Sequence, residues 1–302
     1  MRREKDCLPC VLDDLHGAID LLGLEPGARR EVLDSANRFL DETWPQDREP
    51  SFYITGVHRI LKRITGIEMP FRELREACNR VGGEIAAGLE PEIAALPPDE
   101  RFRMLCLWAV AGNHLDFRTV GTGYGFGAEE IRGMLEEKVA EGFAIDDVER
   151  IRGILEGAGE ILYVPDNVGE IAFDRLLVLH LRERGSRVTV PYRGGPITSD
   201  AMLCDFEAVG LDTAADRVIR AGPDTLGVDF GEMTDEMRAA VDSADAILTK
   251  GQANFYVFHE HRDGIPGPIC SLLTTKCDIV SNELGREGKI NVATVLWPGA
   301  SA

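Results

Sequence analysis

The stretch Ile161-Leu-Tyr-Val-Pro-Asp-Asn-Val-Gly-Glu170 ends a short apolar run on two adjacent metal-competent side chains, Asp166 and Asn167. A hard divalent cation takes carboxylate and amide oxygens, and a phosphate takes such a cation. In an open α/β sheet, ligands bind beyond the carboxyl ends of the strands, where this pair falls. The plain alternative is an Asx turn closing a strand. A second carboxylate, Asp200, stands in Pro196-Ile-Thr-Ser-Asp200, 34 residues past Asp166. That is about one βαβ step, so neighbouring parallel strands carry both carboxylates on one rim. Two Asp and one Asn suit Mg²⁺, Mn²⁺ or a similar ion, and the other reading of Asp200 is a helix cap near Ala201.

Two lysine segments accompany them. Lys250-Gly251-Gln-Ala-Asn254 follows the apolar Ala246-Ile-Leu. Glycine lets a backbone approach an oxyanion, lysine adds a point charge and Asn254 an amide, which together describe a small phosphate cradle. It lacks the P-loop spacing, and a helix start with a surface lysine is the alternative. Lys276, in Thr274-Thr-Lys-Cys277, precedes the apolar Asp278-Ile-Val-Ser281, read as a strand; an ordinary loop lysine is its alternative. In Ala111-Gly-Asn-His-Leu-Asp-Phe117, Asn113 and Asp116 are polar residues at an apolar helix end, facing a cleft or simply ending the helix.

The elements that must position these groups fall into two halves, residues 1–150 and 151–302. Apolar residues at 3- and 4-residue spacings predict helices over 8–22, 28–42, 51–66, 70–89 and 100–115. Every second residue from Gly121 to Gly127 is glycine, which reads as a flexible loop and, with no strand before it, not as a dinucleotide fingerprint. From about Ile154, strands and helices alternate: strands over 161–165, 187–191, 217–221, 245–249, 278–281 and 290–296, helices over 171–184 and 199–210. Such alternation predicts an α/β fold with βαβ units and a mostly parallel sheet.

Composition narrows the function. With 44% apolar and 28% charged residues in 302, the chain reads as an ordinary soluble globular protein. No window reaches the roughly 18 uncharged apolar residues of a membrane span. The N-terminal Met-Arg-Arg-Glu-Lys-Asp-Cys lacks the apolar region of a signal peptide, so a cytoplasmic protein is expected. A net charge of −19 argues against nucleic acid as partner and requires local Lys, Arg or metal to hold an anionic substrate. Seven cysteines, an odd and scattered set, read as free or metal-bound thiols rather than a disulfide framework.

Together, Cys7-Leu-Pro-Cys10, Gly112-Asn113 with Asp116, Asp166-Asn-Val-Gly-Glu170, Asp200, Lys250-Gly-Gln-Ala-Asn254 and Lys276-Cys277 resemble the DUF89 family, the metal-dependent damage-control phosphatases. The resemblance spans almost the whole chain and is closest to the archaeal and bacterial stand-alone branch. It implies a helical N-terminal region on a Rossmann-like three-layer α/β/α core. It implies that Asp166, Asn167 and Asp200 hold a divalent metal (Mn²⁺, Mg²⁺, Co²⁺ or Ni²⁺). Lys250, Gly251, Asn254 and Lys276 match positions at the phosphate or nearby substrate, and Asn113 and Asp116 line the same cleft. Relatives usually carry Asn before the second metal Asp, where this chain has Ser199. The branch also pairs Cys7 and Cys10 with Cys277, three thiolates that form a possible second site for a soft metal such as Zn²⁺, with buried structural thiols as the alternative.

The implied activity is hydrolysis of small phosphorylated metabolites. The metal polarises a phosphoryl oxygen, the lysines offset phosphate charge, and Asp116 is a candidate general acid. The two other readings are an S-adenosylmethionine-dependent carboxyl methyltransferase and a non-catalytic metal- or nucleotide-binding protein. Against the methyltransferase, Asp-Asn-Val-Gly-Glu replaces the Gly-rich turn such enzymes place after the first strand. The sequence assigns no oligomeric state.

Overall fold

A computed structural model describes residue 1, residues 4–115 and residues 128–300. The chain opens with α1 (Cys7–Leu21), α2 (Pro26–Thr43), α3 (Pro50–Thr65), α4 (Arg72–Ala94), α5 (Pro98–Ala111) and α6 (Ala128–Ala140). Prolines at the first turns of α2, α3 and α5 sit where the missing N–H costs nothing, and Gly66 closes α3 at φ 69°. A short strand β1 (Ile145–Asp146) and α7 (Val148–Glu156) follow. Then come β2 (Glu160–Val164), α8 (Ile171–Glu183), β3 (Arg187–Arg193), α9 (Leu203–Val209), α10 (Leu211–Ala214) and β4 (Arg217–Gly222). The chain closes with α11 (Asp235–Ser243), β5 (Ala246–Lys250), α12 (Gly251–His261), β6 (Ile269–Thr274), α13 (Asp278–Glu283) and β7 (Asn291–Trp297).

The seven strands form one sheet in the order β1-β7-β6-β5-β2-β3-β4. All pairings are parallel except β6–β7. The expected α/β class and mostly parallel sheet are therefore correct. Strands β5 and β6 are buried at every position, as central parallel strands covered on both faces must be. Alternation along β2 divides the core: Ile161 and Tyr163 pack with α4, α5, α7 and α8, whereas Leu162 and Val164 pack with α11 and Phe258 of α12. Helices α1–α3 build a separate apolar cluster that closes on Phe71, Cys78 and Val168. The division expected at residue 150 has β1 on its N-terminal side, paired to β7.

Two expectations fail in the last third. Residues 278–281 form the helix α13 rather than a strand, and β6 is a strand that periodicity did not predict. A four-residue apolar run carries too few periods to separate the two structures. Asp278 sits in the first turn of α13, where a carboxylate favours a helix start, and Val280 and Ser281 are its buried pair. The glycine alternation up to Gly127 lies outside the described residues. Among the described residues, no helix is long and apolar enough to cross a membrane.

Candidate active site

The chain runs from β2 outward to β3 and β4, then returns to β5 on the other side of β2. That reversal opens a crevice at the carboxyl ends of β2 and β5, the place where such sheets bind ligands. Asp166 and Asn167 follow β2, Asp200 follows β3, Lys250 ends β5 and Gly251 opens α12, and Lys276 follows β6. An isolated bridge pairs Asn167 with Asp200. The sheet order thus brings six of the expected residues to one rim.

Asp166 and Glu170 are nearly buried and share two amide groups. Asn167 Nδ2 donates to Asp166 Oδ2 at 2.7 Å and to Glu170 Oε2 at 3.0 Å. Asn113 Nδ2 reaches the same two oxygens at 3.3 and 2.9 Å. Burial pushes the Asp166 carboxyl well above the ordinary range, and the charges of Asp200 and Glu170 push the same way against Lys276 and Arg193. Gly251 is required beside it: φ is 76°, and a Cβ there would overlap the Asp166 carboxylate.

Asp200 is held from one side only. Its Oδ2 accepts from Arg193 Nε at 2.9 Å and from the Gly227 amide at 2.8 Å. Its Oδ1 is buried with no hydrogen-bond partner. Ser199 donates from Oγ to Asn167 Oδ1 at 2.7 Å and so steadies that amide from the loop after β3. Asp200 does not cap a helix, since α9 begins at Leu203.

Two expected phosphate contacts have other partners. Lys250 is fully buried, and its ammonium donates to Glu170 Oε1 at 2.5 Å, Asp174 Oδ1 at 2.9 Å and the Ala109 carbonyl at 2.7 Å. Three protons meet three acceptors, leaving none for a phosphate. Burial alone would lower its pKa, but Asp174 and Glu170 outweigh it and raise it. Asn254 is equally committed: Nδ2 donates to the Pro165 and Lys250 carbonyls, and Oδ1 accepts from Arg193 and the Val228 amide. Both are ties between loops in this arrangement. Lys276 is half-buried and lies near enough to Asp166 to lower that carboxyl's pKa. Asp116 lies outside the described residues.

The sequence reading passed over Arg193, Asp174, Arg75 and Asn79. A hydrophobic strand ending in an arginine, as β3 does, was the available signal for Arg193. Of the three cysteines of the possible second site, two lie near each other. Cys7 and Cys277 are close enough for their thiolate charges to interact, but Cys10 is exposed on α1. Among the described residues, no group of three or more His, Cys, Asp or Glu side chains is placed to hold a metal. The rim instead offers two carboxylates and one amide.

The damage-control phosphatase ARMT1-like domain matches residues 4–290. The chain belongs to this family. A damage-control phosphatase of Archaeoglobus fulgidus is 32% identical over 279 residues, spanning 92% of this chain and 94% of that protein. A damage-control phosphatase of Pyrococcus horikoshii is 27% identical over 285 residues, with 94% of each covered. The crystal structure of a DUF89 family protein from Pyrococcus horikoshii superposes with a TM-score of 0.87 at 26% identity, covering 98% of this chain and 99% of that one. The family read from the motifs is the family found.

Proposed function

We propose that this chain is a divalent-metal-dependent phosphomonoester hydrolase acting on small phosphorylated metabolites. The observation that carries the reading is Asp200 Oδ1, a buried carboxylate oxygen without a partner, on the rim shared with Asp166. A buried carboxylate oxygen left without a partner is costly, and a cation beside the Arg193 pair would complete it. Asp166, Asn167 and Asp200 supply the hard oxygen set that Mg²⁺ or Mn²⁺ takes, and Co²⁺ and Ni²⁺ accept it too. Such a cation, when bound, polarises a phosphoryl oxygen and offsets its charge.

The protein's own groups do the rest. Asn113 and Asn167 hold Asp166 by their amides, and Arg193 orients Asp200. Lys276 adds positive charge beside Asp166, where the three equatorial oxygens of a phosphoryl group gain charge in the transition state. Asp116 is the candidate for protonating the leaving oxygen. The relatives named damage-control phosphatases support the same reading.

The test is hydrolysis of p-nitrophenyl phosphate by chelator-stripped protein with single divalent metals restored. Turnover that returns with metal, and falls at least about 100-fold in Asp166→Ala, is the expected result. Folded protein that binds metal and turns over nothing would move the chain to the non-catalytic reading.

A further inference from the structure

One face of α4 carries Arg75, Cys78, Asn79 and Gly82, at helical spacings of three and four. That face meets the two loops bearing Asp166 and Asp200, and it meets them at their backbones. Arg75 Nη1 donates to the Thr198 carbonyl at 2.9 Å, Nη2 donates to the Asp200 carbonyl at 2.8 Å, and the same guanidinium pairs with Asp205. Asn79 Oδ1 accepts the Gly169 amide at 2.9 Å, while its Nδ2 donates to Asp205 at 2.8 Å. A Cβ on Gly82 would overlap the Gly169 carbonyl, and one on Gly169 would come within 2.9 Å of the Cys78 carbonyl. Helix and turn touch main chain to main chain.

Thr198 explains what the grip is for. Its φ is 43°, a left-handed conformation in a residue with a branched Cβ. Such a residue costs about 1–2 kcal/mol and persists only where its surroundings hold it. Arg75 holds it by the carbonyl, two residues before Asp200. Both Arg75 and Asn79 are almost wholly buried, and their polar groups are taken up by the two loops and Asp205.

We propose that Arg75 and Asn79 are positioning residues that hold the Asp200 and Asp166 loops at metal-binding geometry, so that a helix of the first half sets the cation affinity of the site. The proposal rests on the metal reading above. Lysine does not replace Arg75, because one ammonium cannot reproduce the planar fork that spans two carbonyls and a carboxylate.

The experiment is direct Mn²⁺ binding, by titration calorimetry on fully folded, chelator-stripped protein, with no substrate present. Wild type, Arg75→Lys, Asn79→Ala and Val32→Ala are compared. Val32 is buried among α1–α3 and serves as a destabilised control outside both loops. The expected result is a Kd raised about 10- to 100-fold in Arg75→Lys and Asn79→Ala, the usual cost of losing an orienting partner, with Val32→Ala unchanged. Wild-type Kd in folded Arg75→Lys overturns the proposal while leaving the metal reading intact. Should Arg75→Lys fail to fold, Asn79→Ala decides in the same way. Wild-type protein that binds no Mn²⁺, Mg²⁺, Co²⁺ or Ni²⁺ overturns the metal reading, and the proposal with it.

Discussion

The Lys250 ammonium lies 2.5 Å from Glu170 Oε1, and neither side chain reaches solvent. The other oxygen of Glu170 takes the amides of Asn113 and Asn167, which also hold Asp166. Lys250 therefore acts on Asp166 through one carboxylate and two amides. Asp174, with Tyr163 donating to it at 2.6 Å, is the second anion on the same ammonium. Burial raises the Asp174 pKa, with Lys250 opposing.

Removing this cation strands two buried carboxylates. Lys250→Met should destabilise the protein by about 3–5 kcal/mol, the usual cost of breaking a buried pair from one side. Urea unfolding measures it. A lysine that served mainly to contact phosphate would instead lower turnover with stability within about 0.5 kcal/mol of wild type.

Gly251→Ala should abolish metal binding by displacing Asp166. Its cost has two parts, the left-handed φ and the overlap with the carboxylate. Gly285→Ala separates them, because Gly285 has φ 67° with nothing within 4 Å of its Cβ position. The control should lose about 1–2 kcal/mol by unfolding and keep its Mn²⁺ affinity. Equal Mn²⁺ affinity in the two variants would show that the close approach to Asp166 is unimportant.

Ser199→Ala removes the hydroxyl that steadies Asn167 Oδ1. A hydrogen bond of this type contributes about 1 kcal/mol. The expected outcome is a Mn²⁺ Kd about fivefold weaker with the fold retained, read by calorimetry. Ser199→Asn, which exchanges the hydroxyl for an amide, tests whether an amide holds the loop better. A Kd unchanged in Ser199→Ala would leave the bond without a part in the site.

What the sequence conveyed was whatever is local. Asp166 and Asn167 end a strand, Asp200 follows the next one, and Gly251 opens a helix, so their common rim follows from parallel strand order. Direction was not legible. Lys250 has the chemistry of a phosphate contact, but buried Glu170, at the N-cap of α8, and Asp174, in its first turn, claim it instead. Arg75 was invisible for a different reason: its three acceptors lie 123, 125 and 130 residues away, and only the closed fold makes them neighbours. The exchange of strand and helix near residues 269–283 has the same origin, since which short apolar run pairs with β5 is decided by the sheet.

A last prediction concerns acid stability at the junction of α3 and α12. Glu49, which precedes Pro50 at the start of α3, accepts from His261 Nε2 at 3.2 Å, and His261 stacks on Phe230 with ring centroids 4.3 Å apart. The His261 hydrogen bond lowers the Glu49 pKa to about 2; burial opposes it, and the charge of Arg48 assists. A depressed carboxylate pKa stabilises the fold at pH above its ordinary 4.5, and that contribution fades as pH falls through about 2. In a fully buried pair it would reach about 3 kcal/mol; the solvent around His261, which is 37% exposed, screens it to about 1–2 kcal/mol. Unfolding free energies of wild type and Glu49→Gln, from urea titrations, should therefore differ by that amount at pH 6 and draw together between pH 4.5 and 2. A gap that stays constant from pH 6 to 3 would assign the effect to packing of the Glu49 side chain, because only a charge can make it follow pH.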